Sequence, residues 1–269
     1  MRQANRRGGR GILVLGALII VLIGVVLAVT LGGGDEAAAQ EMDGAVAFLR
    51  QLEAGDPDQV VQVIRQQQKA RMDAEREQLR DKLLNGEIDV WGQFQEYVIL
   101  GDSRASGFSY YSWLPSEYVL AEPGDTMWKI EDHLEEIKAL NPARAYIAYG
   151  GNDLAYFSTT DEYVAEFARL IGEIQEADPG LEIYVNYILR AQDWVTSAGL
   201  PNAPENNTAI QAMCQQKGYT YVDCDNITAE HQDLYEGDGM HFKSAFYPYW
   251  ASNLILATYY RGSEEDVPA

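Results

Sequence analysis

Three short segments, far apart in the chain, carry residues able to perform acyl chemistry together: Gly101-Asp102-Ser103, Gly150-Gly151-Asn152-Asp153 and Asp238-Gly239-Met240-His241. A serine hydroxyl becomes a useful nucleophile when a neighbouring base takes its proton. A neutral imidazole can do this, and it needs a carboxylate to fix its tautomer and stabilise the imidazolium. Asp238 precedes His241 by the three-residue spacing that a tight turn closes. An asparagine amide such as that of Asn152 can donate to a developing oxyanion, and losing one such donor typically costs about a hundred- to a thousand-fold in rate. Each segment taken alone is also an ordinary turn. The chain has 3 histidines. His133 falls on the polar part of an amphipathic helical pattern and reads as a solvated side chain. His231, among Glu230, Gln232 and Asp233, reads as surface loop, which leaves His241 as the histidine whose neighbours suit a base.

The elements around these segments decide whether they can meet. From Tyr97 onward, short apolar runs alternate with helical patterns. Strands are expected at 97–100, 118–121, 145–149, 181–189 and 219–222. Helices are expected at 126–140, 161–177, 208–217 and 243–261, from apolar spacing such as Met127, Ile130, Leu134 and Ile137. This alternation predicts a parallel sheet covered by helices on both faces. Active sites of such sheets lie at the carboxyl ends of the strands. Gly101 follows the first strand and Gly150 the third, so Ser103 and Asn152 are expected at one edge.

The segments, in this order, resemble the SGNH hydrolase superfamily, the GDSL esterases, in its membrane-anchored bacterial form. Gly101-Asp102-Ser103 matches the first block of that family, with Arg104 standing where the family name has leucine. Gly124, in Glu122-Pro123-Gly124-Asp125, is similar in placement to the glycine of the second block. Gly150, Gly151, Asn152 and Asp153 match the third, and Asp238 and His241 the last. The resemblance covers roughly residues 95–262. It implies a three-layer α/β/α, flavodoxin-like SGNH fold with a five-stranded parallel sheet. It implies a triad of Ser103, His241 and Asp238, and an oxyanion hole built from the backbone N–H groups of Ser103 and Gly124 and the side chain of Asn152. It implies a serine ester hydrolase that needs no cofactor or metal. No metal-ligand spacing of His, Cys or Asp is visible either.

The N-terminal third reads differently. Residues 11–31 hold no charged side chain, and about 20 apolar residues span a hydrocarbon core. Arg2, Arg6, Arg7 and Arg10 precede the run, and Asp35 and Glu36 follow it. The positive-inside tendency puts residues 1–10 in the cytoplasm and the rest outside a cell membrane. A cleaved signal peptide is the competing reading, with Ala37 to Ala39 as a cleavage site, although the apolar run exceeds the usual length of such a segment. Residues 32–94 read as a helical stalk, broken at Gly55-Asp56-Pro57-Asp58, that either stays solvated or packs on the following domain. Residues 95–262 form the hydrolase domain, and 263–269 a disordered tail.

The chain has 20 Lys+Arg against 41 Asp+Glu. Of the net charge of −21, the first 31 residues contribute +4, which leaves −25 for the remainder. So acidic a surface repels phosphate backbones, and no nucleic-acid partner is expected. The 2 cysteines, Cys214 and Cys224, stand near a helix end and a strand end. Outside the cytoplasm they can form a disulfide, and two buried thiols are the alternative.

An ester is the expected substrate. Tyr110, Tyr111, Trp113 and Trp194 can stack on sugar faces or serve as core and rim residues. The first role suits an O-acyl, particularly O-acetyl, group on a cell-surface or extracellular glycan. A glycan O-acetyltransferase would use the same triad with a sugar hydroxyl in place of water. A glycan-binding protein without activity would be expected to lack a triad residue, and here all three are present.

Overall fold

The computed structural model describes residues 57–196 and 204–261. Residues 11–31, the expected membrane span, lie outside the described residues, as do residues 32–56 of the expected stalk and the expected tail, 263–269. Among the described residues, no helix is long and apolar enough to cross a membrane. The chain divides into two compact units, Met1–Met72 and Asp73–Ala269. The first described element, helix α1 (Pro57–Leu84), crosses that division.

The second unit holds five strands: β1 (Tyr97–Gly101), β2 (Val119–Ala121), β3 (Arg144–Ala148), β4 (Glu182–Asn186) and β5 (Thr220–Val222). They pair in the order β2-β1-β3-β4-β5, all parallel. All residues of β1 are buried, as a central parallel strand covered on both faces requires. Alternate side chains enter two separate cores. Tyr97, Ile99, Tyr146 and Tyr184 face one core, with Ala105 and Phe108 of α2 (Ser103–Tyr110). Trp250, Leu254 and Ile255 of the last helix (Tyr247–Tyr259) join them. Val98, Leu100, Ile147 and Val185 face the other core. It is closed by α3 (Lys129–Leu140), α4 (Thr160–Ala177) and a helix over Pro204–Lys217. The expected five-stranded, three-layer α/β/α architecture is therefore present.

Two features differ from the sequence reading, and at a third the structure takes one of two outcomes that reading left open. The fourth strand stops at Asn186 instead of Leu189. Beyond it, the side chain of buried Asn207 accepts from Ile188 N at 2.7 Å and donates to Ile188 O at 3.1 Å. One amide thus takes the bonds that a neighbouring strand would supply. The end of the expected stalk packs on the following domain, one of its two expected outcomes, with Leu83, Val90 and Phe94 buried in a core. The expected disulfide is absent, since Cys214 and Cys224 are both free and buried. Cys214 lies in one core and Cys224 in the other, with the sheet between them.

Candidate active site

Register brings the site to one edge of the sheet. Gly101 pairs with Ala121 on one side and Ala148 on the other, so β1, β2 and β3 end level. The three following turns carry Ser103, Gly124 and Asn152. Asp102 caps α2, its Oδ1 accepting from Arg104 N at 2.9 Å, so the helix starts at Ser103. The first N–H groups of a helix have no partner within it, which leaves that of Ser103 to serve an anion.

The imidazole comes from a pinned loop. Tyr235 and Phe242 form an antiparallel bridge, and their rings lie 4.7 Å apart. Within the loop, Glu236 N donates to His241 O at 2.8 Å and Gly239 N to Glu236 O at 3.0 Å. Tyr111 Oη reaches across from the end of α2 and donates to Phe242 O at 3.1 Å. Asp238 Oδ1 accepts from the backbone of Met240 at 2.9 Å and of His241 at 3.0 Å. Its Oδ2 lies 2.6 Å from His241 Nδ1, and His241 Nε2 lies 2.8 Å from Ser103 Oγ. Hydroxyl, imidazole and carboxylate thus form one hydrogen-bonded chain. Partial burial works against the Asp238 charge, but bonds from His241 N, the His241 ring and Met240 N outweigh it and draw the carboxyl down to about 2. It stays ionised wherever the imidazole has to be steadied.

The two turns expected to face an oxyanion are tied together. Asn152 Nδ2 donates to Asp125 O at 2.8 Å, in the turn that contains Gly124. Asp153 is buried, and its Oδ1 accepts from Met127 N at 2.8 Å, two residues beyond Asp125. Burial raises the Asp153 carboxyl to about 6, against the lowering effect of that N–H.

Two residues have more weight here than the sequence reading gave them. Arg104 is almost buried, donating to Asp102 Oδ2 at 3.1 Å and to Leu189 O at 2.6 Å. Burial alone would lower its pKa, but the Asp102 charge and hydrogen bond overcome this and raise it. Asp102 Oδ2 also accepts from Gly151 N at 3.3 Å. A Cβ on Gly151 would strike the guanidinium of Arg104 and Asp102 Oδ2, so the first and third segments fit only with glycine there. The signal for Arg104 was its departure from the leucine of the family name. For Asp153, it was membership of the third block.

The other expected positions separate cleanly. His133 pairs with Glu136 on an exposed helix face, and His231 stacks near Tyr249 with centroids 3.8 Å apart. Trp113 stacks on Trp91 and donates to Ser244 O, so it supports structure. Tyr110 and Trp194 are exposed.

Residues 99–247 match the GDSL-like Lipase/Acylhydrolase family, and the chain belongs to that family. It is a carboxylic ester hydrolase of the SGNH type. Two solved structures share the fold. A lipase/acylhydrolase from Enterococcus faecalis is 16% identical with a TM-score of 0.50, covering 63% of this chain and 97% of its own. A putative GDSL-like lipase from Parabacteroides merdae is 17% identical with a TM-score of 0.50, covering 61% of this chain and 96% of its own. No curated protein matches the chain.

Proposed function

We propose that the protein hydrolyses O-acyl, chiefly O-acetyl, esters of carbohydrate outside the cell through an acyl-enzyme on Ser103. The observation that carries the chemistry is the unbroken chain from Ser103 Oγ through His241 to Asp238, at 2.8 and 2.6 Å. His241 takes the proton as Ser103 attacks the carbonyl carbon. The backbone N–H groups of Ser103 and Gly124 and the Asn152 amide receive the negative oxygen. His241 then returns the proton to the departing alcohol, and water, activated by the same ring, frees the acid.

Carbohydrate is favoured because an exposed ring borders the site: Trp194 lies against the loop of His241. Residues 11–31 would hold the chain in the cell membrane, with residues 1–10 in the cytoplasm and the catalytic unit outside, as the charges around the run direct. A protease added to intact cells should then degrade the catalytic unit.

Acetate release from p-nitrophenyl acetate and from acetylated xylan, beside Ser103→Ala, tests the activity. Wild-type release that disappears in the variant supports the reading, and release that persists removes Ser103 from its role. Appearance of acetylated oligosaccharide in place of free acetate would make the enzyme a transferase.

A further inference from the structure

Trp194 is a large ring held in place while largely exposed, at 57% of its full surface. Ordinarily a tryptophan is mostly buried. The segment bearing it is not loose. Arg104 and Tyr235 Oη donate to Leu189 O and Arg190 O, both at 2.6 Å. Gln192 N donates to Gly239 O at 2.8 Å, and the Gln192 side chain reaches Gln232 O at 2.9 Å. Gln192 Oε1 accepts from Trp194 Nε1 at 3.0 Å, which fixes the ring about its own axis. Val195 next to it is buried.

The ring rests on the catalytic loop. A Cβ on Gly239 would lie 2.7 Å from Trp194 Cζ2 and 2.9 Å from Cε2, and Gly239 itself has a φ of +68°. Glycine is therefore required there both for the turn and for the approach of the indole. Gly239 stands between Asp238 and His241. Trp194 is thus coupled to the loop that presents the imidazole.

The chemistry says which part of a substrate passes this loop. His241 must hand its proton to the leaving oxygen, so the alcohol half of the ester departs on the side of the His241 ring. The acyl oxygen faces the opposite turns, around Gly124 and Asn152. We infer that Trp194 is a specificity-determining residue that receives the alcohol half of the ester, and that its open indole face selects a flat, ring-shaped alcohol, the pyranose of an acylated sugar. This rests on the esterase reading above and narrows it.

The test compares two substrates in the full chain. One is acetylated xylo-oligosaccharide, whose alcohol is a sugar ring. The other is ethyl acetate, whose alcohol is too small to cover an indole. The readout is the ratio of their kcat/KM values from acetate release. Trp194→Ala should lower that ratio about tenfold, mainly through KM on the sugar ester, and Trp194→Phe should recover most of it. An unchanged ratio in Trp194→Ala would overturn the inference. So would a shift in preference between acetyl and butyryl esters of one alcohol, because that would put the ring on the acyl side. A thermal melt and the rate of labelling by a sulfonyl fluoride report whether the variant keeps its fold and triad, and Trp194→Phe decides the matter if Trp194→Ala fails to fold. A wild-type enzyme that cleaves ethyl acetate but no sugar ester removes the carbohydrate reading together with this inference. One that cleaves neither removes the esterase reading itself.

Discussion

Asp238 and Asp102 are carboxylates of one site with opposite surroundings. Asp238 is half exposed and held ionised by its own turn and by His241. Asp238→Asn keeps the shape but offers the imidazole the wrong partner, so kcat should fall roughly a thousand- to ten-thousand-fold, measured on p-nitrophenyl acetate. The same variant reports on stability. The folded pKa of Asp238 lies below its ordinary value of 3.8, so its contribution is present above about pH 4 and lost as pH falls to about 2. Melting temperature should depend less on pH in that acid range once Asp238 is replaced. Asp102 is buried to 1% and has Arg104 as its cation. Arg104→Leu restores the residue of the family name yet strands that charge. Breaking a buried pair in this way costs about 3–5 kcal/mol, which denaturant titration would read. An unchanged midpoint would show that Asp102 gains nothing from the guanidinium.

At the scale of elements, the site depends on two turns being tied to each other. Asn152 and Asp153, adjacent in sequence, hold the Gly124 turn at Asp125 O and Met127 N. Asp153 has the opposite sign to Asp238. Its folded pKa is raised to about 6, so the folded state binds more protons than the unfolded one. Its contribution is fully present below about pH 4 and is lost as pH rises through about 6. Asp153→Asn should remove that decline from a plot of melting temperature against pH. Much of this layer was legible in the sequence. Buried strands announced themselves as unbroken apolar runs, and helices by the spacing of residues such as Ile130 and Ile137. What was not legible depended on side chains that imitate backbone. Asn207 ends β4 early by bonding both polar groups of Ile188. The Tyr235–Phe242 bridge makes a pinned hairpin of what read as a simple turn. Neither leaves a trace in hydrophobic periodicity.

Over the molecule as a whole, the sheet separates two cores, and this decides the fate of the cysteines. Their positions near element ends suggested a bond, but alternation along the strands and helices sends them to opposite faces. Burial pushes both thiols up, Cys214 to about 12, so neither is a ready thiolate. Iodoacetamide should therefore label neither cysteine in the native protein and both in the denatured, unreduced protein. A bridged peptide under those conditions would contradict the fold. The acidic surface and the basic start of the chain remain the basis for the proposed orientation across a membrane.

The central claim concerns one covalent bond, between an acyl carbon and Ser103 Oγ. Acid quenching during turnover of p-nitrophenyl acetate, followed by peptide mass analysis, looks for it directly. The account predicts an acetyl adduct on the peptide containing Ser103, absent from Ser103→Ala, with hydrolysis by that variant reduced roughly a thousand- to a million-fold. Full hydrolysis by Ser103→Ala, or an adduct on another residue that accounts for turnover, would contradict it.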